Sequence, residues 1–161
     1  DLLSGGVPCY GVYATADGRH MAVGALEKKF WELLCDTLER PDLKPFHLAF
    51  GAKGEKAKQE LAAVFAGQPQ SHWIDKFAGV DCCVTPVLTI AEALDNEQLQ
   101  ARGMVVEADG IPQLAPPYKL SDYEFSIERN APAPGQHSED ILREAGFDAD
   151  AIDQLRRQGI I

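Results

Sequence analysis

The chain has 161 residues, 45% of them hydrophobic and 25% charged, and a formal net charge of −10. That length holds one or two small domains with a real core, in the ordinary balance of a globular protein. An acidic chain is a poor match for nucleic acid or an anionic membrane surface, and no apolar run approaches the ~20 residues of a membrane span, so neither partner is expected.

The opening Asp1-Leu-Leu-Ser-Gly-Gly-Val-Pro8 has no initiating methionine and no signal peptide. It reads as the interior of a longer polypeptide, with residues 1–9 a linker. Tyr10 to Ala16 and His20 to Ala25 then read as the arms of a β-hairpin around Asp17-Gly18, a pair suited to a type I′ turn with positive φ at both positions. The second arm runs through Gly24, Ala25 and Leu26 to Glu27, where a helix begins. Lys28 to Glu39 is amphipathic, with Phe30, Trp31, Leu33, Leu34 and Leu38 at near-helical spacing, and Pro41 and Pro45 end it. Lys53 to Phe65 is a second helix, whose interleaved lysines and glutamates read as a solvated face. Ser71 is placed as the N-cap of a third, His72 to Phe77, burying Trp73, Ile74 and Phe77.

Val80 to Val87 reads as a strand that stops at Pro86. Thr89 caps a short helix Ile90 to Leu94, and Asn96 to Ala101 forms another. Met104 to Ala108 is a short strand before the turn pair Asp109-Gly110, and Gln113 to Tyr118 is proline-rich and extended. The chain is then irregular to Pro134. Ser138 caps a helix from Glu139 to Ala145, closed by Gly146, and Asp148 or Asp150 starts a last helix through Gln158, closed by Gly159. The fold class is α+β: a small antiparallel sheet of about three strands with packed helices over residues 10–108, and an extended, helical segment over 109–161 that needs something further to pack against.

The four cysteines are Cys9, Cys35, Cys82 and Cys83. Adjacent cysteines on a strand point to opposite faces, which suits neither a disulfide framework nor a zinc site, so all four are expected as reduced thiols of a cytoplasmic protein, with no metal. Gly51-Ala-Lys-Gly54 lacks the phosphate-loop pattern, and there is no Gly-x-Ser-x-Gly elbow. Glu27 at a strand-to-helix junction sits on rigid support where sites often lie, or it simply favours the helix dipole. His137, before a helix N-terminus, suits anion binding or a hydrogen bond within its loop. Tyr10 is a ligand contact or a hairpin aromatic packed on the core. No self-contained acid/base pair stands out.

Several motifs in order carry a resemblance that covers nearly the whole chain. They are Gly79-Val-Asp-Cys-Cys-Val-Thr-Pro-Val-Leu-Thr-Ile-Ala-Glu-Ala-Leu94, Arg102-Gly103-Met104, Pro134-Gly-Gln-His-Ser138 and Asp140-Ile-Leu-Arg-Glu-Ala-Gly146. Together they resemble the family III CoA-transferase (CaiB/BaiF) superfamily, and within it the branch that racemises 2-methylacyl-CoA thioesters. The resemblance implies a longer parent enzyme whose Rossmann-like large domain carries the principal catalytic histidine and aspartate, this chain being the small domain and the segment returning to the large one. Gly24-Ala-Leu-Glu27 matches a racemase motif whose glutamate pairs with the catalytic histidine, and Tyr10 matches a tyrosine near the acyl pocket. Glu27 is then the catalytic candidate, with Tyr10, Gly24 and His137 contacting substrate. An acyl-CoA thioester is the expected substrate, CoA arrives as part of it with no separate cofactor, and an interlocked homodimer is the expected assembly. The alternatives are a family III CoA-transferase moving CoA between carboxylic acids, and a folded module that dimerises without catalysis.

Overall fold

Alternation of apolar and small residues produces the expected hairpin. β1 (Tyr10–Ala14) pairs antiparallel with β2 (His20–Gly24), Tyr10 opposite Gly24 and Ala14 opposite His20. The computed structural model describes all residues 1–161, and the turn between these strands differs from the type I′ reading. Gly18 alone has a positive φ, 75°. The Gly18 N–H donates to the Thr15 carbonyl at 3.0 Å and the Thr15 N–H to the Arg19 carbonyl at 2.8 Å, a type I turn followed by a left-handed glycine. Asp17 stays out of that region because strand pairing ends at Ala14 and His20, leaving a loop longer than the two residues that a type I′ turn joins, and its carboxylate reaches other partners. It accepts the Thr15 hydroxyl at 2.5 Å and the backbone N–H of Gln70 at 3.2 Å.

A third strand, β3 (Val84–Pro86), lies antiparallel on β2, so the sheet order is β1-β2-β3. The strand is shorter than the Val80–Val87 reading. Gly79 (φ 74) and Cys83 (φ 57) are left-handed, and hydrogen bonds from Val80 to Phe77 and from Cys82 to Val80 fold residues 77–83 into turns. Tyr13, Met21, Val23 and Val84 point to the buried side, while Val12, Ala14 and Thr85 face outward.

Three helices cover the buried side. α1 (Lys28–Thr37) buries Trp31, Leu34 and Cys35 but leaves Leu33 exposed. It ends before Glu39 because Glu39 is left-handed (φ 58) and the N–H groups of Glu39 and Arg40 return to the carbonyls of Asp36 and Cys35 at 3.0 and 2.8 Å. Pro41 opens a 3₁₀ segment, Pro41–Phe46, whose Lys44 carbonyl accepts the Trp31 indole N–H at 3.1 Å. α2 (Gly51–Phe65) turns Gly54, Ala57, Leu61 and Phe65 inward. A side chain at Gly54 would put its Cβ 2.0 Å from the Ala49 carbonyl oxygen, so that turn admits only glycine. Arg40 joins the 3₁₀ segment to α2 by bonding Asp42 and Glu60 at 2.6 and 2.5 Å.

α3 (Gln70–Phe77) begins two residues earlier than expected, and Ser71 lies within it. Pro69 occupies the cap position and offers no side-chain acceptor, so the Asp17 carboxylate satisfies the Gln70 N–H from across the fold. Trp73 and Phe77 are buried as expected, and Ile74 is exposed. The Gln70 side chain, 5% exposed, donates to the carbonyls of His20 and Val87 at 2.7 and 3.2 Å. Residues 1–9, read as a linker, send Val7, Pro8 and Cys9 into this same core. The Tyr13 hydroxyl donates to the Pro8 carbonyl at 2.6 Å, and burial pushes that phenol well above its usual range.

The Asp17 bonds carry a pH dependence. Hydrogen bonds from Thr15, then from the Gln70 and Arg19 N–H groups, hold the Asp17 carboxyl below its ordinary value. A depressed folded-state pKa means stabilisation that is present above the unfolded value of about 4 and is lost as pH falls through the folded value. Urea midpoints of the wild type and Asp17→Asn should therefore differ at pH 7, and the difference should shrink as pH falls below about 4. Parallel midpoints across that range would remove Asp17 from the account.

The chain divides into two compact units, Asp1–Thr89 and Ile90–Ile161. The division comes earlier than residue 108 because the next strands pair with each other. β4 (Val105–Ala108) pairs antiparallel with β5 (Ile111–Leu114) around Asp109-Gly110, whose φ values of 52° and 75° make this the type I′ turn. The sequence reading had Gln113–Tyr118 as merely extended. Pro112 is tolerated in β5 because a two-stranded hairpin is all edge. Before it lie α4 (Ile90–Leu94) and α5 (Glu97–Ala101), the latter capped by Asn96, whose side chain accepts the Gln98 N–H at 3.0 Å. After it come α6 (Ser138–Glu144) and α7 (Ala149–Arg157). His137, not Ser138, holds the cap position of α6 and makes no capping bond. Asp148 caps α7 by accepting the Ala151 N–H at 2.9 Å, Gly146 (φ 90) closes α6, and Arg156 pairs with Glu139 between the two helices.

Candidate functional site

The candidate residues of the first unit gather where β2 leaves the sheet. Gly24 is the last residue of β2 and lies opposite Tyr10 on β1. Its N–H donates to the Cys83 carbonyl at 2.8 Å, continuing the register of the β2–β3 ladder by one pair. The Leu26 N–H then folds back to the Gly24 carbonyl at 2.8 Å, and Ala25 between them is fully buried. This short turn delivers Glu27 to the N-cap of α1, where its carbonyl accepts the N–H groups of Phe30 and Trp31 at 3.0 and 3.1 Å. The Glu27 side chain is exposed and makes no capping hydrogen bond, although a cap carboxylate could reach those N–H groups. A rigid turn thus presents a carboxylate that does no local structural work.

Gly24 has no need, within this chain, to be glycine. A methyl there would meet the Cys83 carbonyl oxygen at 3.6 Å and the Cys83 Cβ at 3.8 Å, ordinary contacts, and its φ is not left-handed. The bare backbone therefore leaves room beside it. That room belongs to a concavity of about 680 Å³ on the outward face of the sheet, lined by Tyr10, Val12, Ala22, Gly24, Cys83 and Thr85 among others. Lys58, whose ammonium pairs with Glu55 at 3.2 Å, also borders it. Tyr10 is half-buried, so it both packs on the core and faces this space. A larger concavity, about 970 Å³, lies in the second unit and is lined by Gly103, Val106 and chain between Ala115 and Phe125, mostly without regular structure. It holds none of the candidate residues, and a site on sheet and helix ends is the better supported of the two for precise chemistry.

His137 lies in the second unit, half-buried at the head of α6, and the structure gives it no side-chain partner that would mark a ligand site. The residue that sequence reasoning passed over is Cys83. Cys82 and Cys83 do divide into buried and exposed, but the pair sits in a turn rather than on a strand, and Cys83 is left-handed. Nothing in the sequence signals this, since glycine or asparagine is the usual left-handed residue. Partial desolvation, then the carboxylates of Asp81 and Glu27, push the Cys83 thiol up, and Lys29 works against them. Burial raises the other three thiols, Cys9 and Cys82 to about 11 and Cys35 to about 12, so all are protonated and unreactive near neutral pH. No group of three or more His, Cys, Asp or Glu side chains is arranged to hold a metal, and no helix is long and apolar enough to cross a membrane.

The first unit offers an exposed carboxylate at the head of α1 and a partly apolar trough whose lining includes Gly24 but not Glu27. That carboxylate can accept a hydrogen bond from a donor brought to it, and by itself it has no second acid or base positioned against a substrate.

The chain is similar to known proteins along most of its length. The family model for CoA-transferase family III matches residues 3–138. Human alpha-methylacyl-CoA racemase is 39% identical over 165 aligned residues, covering all of this chain and 43% of that protein. Mouse succinyl-CoA:glutarate CoA-transferase is 26% identical, covering 98% of this chain and 38% of that one. Among solved structures, a CaiB/BaiF family protein from Brucella suis superposes with a TM-score of 0.60 at 19% identity, over 88% of this chain and 38% of that one. A hypothetical protein from Mycobacterium tuberculosis gives 0.63 at 19% identity, over 83% and 39%. The chain therefore spans less than half the length of these relatives.

Proposed function

This chain belongs to CoA-transferase family III, and from that premise we propose that it supplies one wall of the active site of an acyl-CoA racemase. The activity would interconvert the R and S forms of 2-methylacyl-CoA thioesters. What carries the reading is the 39% identity to the human racemase over the full chain, against 26% to a named transferase. The free, rigidly held Glu27 supports it.

The chemistry assigned to this chain is that of a partner. A proton leaves the carbon α to the thioester carbonyl, an enolate forms, and a proton returns to either face. A histidine from outside these residues would move that proton. Glu27 would accept the imidazole N–H, setting its tautomer and stabilising its protonated form. Gly24 would let the thioester region approach the backbone, and Tyr10 would border the acyl group. CoA enters and leaves as part of the substrate. An oxyanion donor for the enolate would also come from outside this chain.

A second reading, transfer of CoA between carboxylic acids, is favoured by the several transferases among the relatives. One experiment separates them. The protein expressed from its complete reading frame is incubated with a 2-methylacyl-CoA in deuterated water, and the α-proton is followed by NMR. Loss of the signal is expected. A persistent α-proton, with CoA passing to an added carboxylate, would replace the racemase reading with the transferase one. The 161 residues alone should show no turnover in either assay.

A further inference from the structure

The chain contains two Asp-Gly pairs, each preceded by alanine: Ala16-Asp17-Gly18 and Ala108-Asp109-Gly110. Both stand at the tips of hairpins, and both are exposed. An Asp-Gly pair is chemically labile because glycine leaves the next amide nitrogen unshielded. That nitrogen attacks the aspartyl Cγ, forms an N–Cγ bond and expels the carboxyl oxygen as water, giving a five-membered succinimide. Water then opens the ring at either carbonyl. Opening at the main-chain carbonyl leaves the backbone running through Cγ, an isoaspartyl linkage of unchanged mass. With the neighbours so alike, the fold decides which pair reacts.

The first pair is held on both sides of the reaction. The Gly18 N–H donates to the Thr15 carbonyl at 3.0 Å, and the Asp17 carboxylate accepts the Thr15 hydroxyl and the Gln70 N–H. Those bonds keep the carboxyl ionised, and an ionised carboxylate has no neutral oxygen to expel. Its hairpin buries Tyr13, Met21 and Val23 and is backed by β3. The second pair lacks this support. β4 and β5 form a sheet of two strands with no buried residue, and Ile111 and Leu114 are more than half exposed. Ile152 is the one buried apolar side chain of the unit Ile90–Ile161. No backbone carbonyl accepts the Gly110 N–H, and the Asp109 carboxylate has a single partner, the Asn130 side-chain amide. A lone two-stranded hairpin is marginal in water, and a region with few buried apolar contacts opens locally at low cost. In the closed type I′ turn, left-handed Asp109 (φ 52) turns the Gly110 nitrogen away from its own side chain, so ring closure follows opening of the hairpin. We propose that Asp109–Gly110 is a site of succinimide formation and isoaspartate accumulation, its rate set by opening of the β4–β5 hairpin, while Asp17–Gly18 is protected.

The test ages the protein from its complete reading frame at neutral pH and physiological temperature. Isoaspartate is counted in the peptide carrying each pair, by methyl transfer from S-adenosylmethionine with a protein isoaspartate methyltransferase. Asp109 should convert about fivefold or more faster than Asp17 in the folded protein. In denaturing urea the two rates should come within about twofold of each other, because only the fold separates them. Glu107→Cys with Pro112→Cys places two thiols opposite each other in the hairpin register. Oxidising that pair to a disulfide should slow conversion of Asp109 by about threefold or more relative to the same variant reduced. Equal rates at the two pairs in the folded protein, a difference that persists in urea, no isoaspartate at Asp109, or a disulfide without effect on its rate would each overturn the proposal. None of these outcomes depends on the racemase reading.

Discussion

Glu27→Gln should slow α-proton exchange by about 10²–10⁴-fold, the usual worth of a positioned acid–base partner, with little change in stability. The expectation follows from how little Glu27 does for the fold. Its side chain is exposed and makes no capping hydrogen bond, and its backbone role at the head of α1 survives the change. The helix dipole favours a carboxylate there by about 0.3–1 kcal/mol at most. Glutamine keeps the shape and one acceptor oxygen but removes the charge that would stabilise a protonated imidazole. The effect should therefore appear in kcat, with the thermal midpoint nearly constant. A loss under threefold would return Glu27 to being a helix-start residue and nothing more.

Phe65→Ala should produce the largest loss of stability in the first unit, about 3–5 kcal/mol. The Phe65 side chain is 0% exposed at the end of α2. Its ring stacks on Tyr13 at 5.4 Å, meets Trp73 edge-on at 5.1 Å and lies 6.3 Å from Phe77. One side chain thus joins β1, α2 and α3, and truncating it loses its transfer energy and opens a cavity between elements already fixed by other bonds. The Trp73 indole donates to the Phe65 carbonyl at 2.9 Å, a backbone acceptor that alanine retains, so the loss measures the ring. The readout is a lower urea midpoint at unchanged slope. A change below 1 kcal/mol would mean that the neighbouring rings close over the gap.

Residues around the turn from β2 to α1 differ in how far they could be read from sequence. Glu27 is legible as a residue at a strand-to-helix junction, but its meaning depends on whether its carboxylate is used locally. Only the structure reports that no capping bond is made. The left-handed backbone of Cys83 is not legible at all, because glycine or asparagine is the usual residue there. His137 illustrates the opposite case: a histidine in a suggestive loop that the structure leaves without a ligand-pointing partner.

What the sequence by itself determined is everything set by neighbours within a few residues. The alternation around Tyr13, Met21 and Val23 yields the hairpin, the spacing of Trp31, Leu34 and Leu38 yields the buried face of α1, and Asn96, Asp148 and Gly146 mark helix ends with local bonds or a left-handed φ. These follow from periodicity and steric preference, which act over one or two turns of chain. What only the tertiary structure decided are the bonds between distant segments. Asp17 accepts the first N–H of α3 from 53 residues away. Gln70 ties α3 to His20, 50 residues distant. β4 pairs with β5 instead of joining the first sheet, and the Gly24 N–H finds the Cys83 carbonyl as the next rung between β2 and β3. The physical reason is common to all four: a buried or constrained polar group takes whatever partner chain closure brings within hydrogen-bond reach, and that partner is written nowhere near it in the sequence.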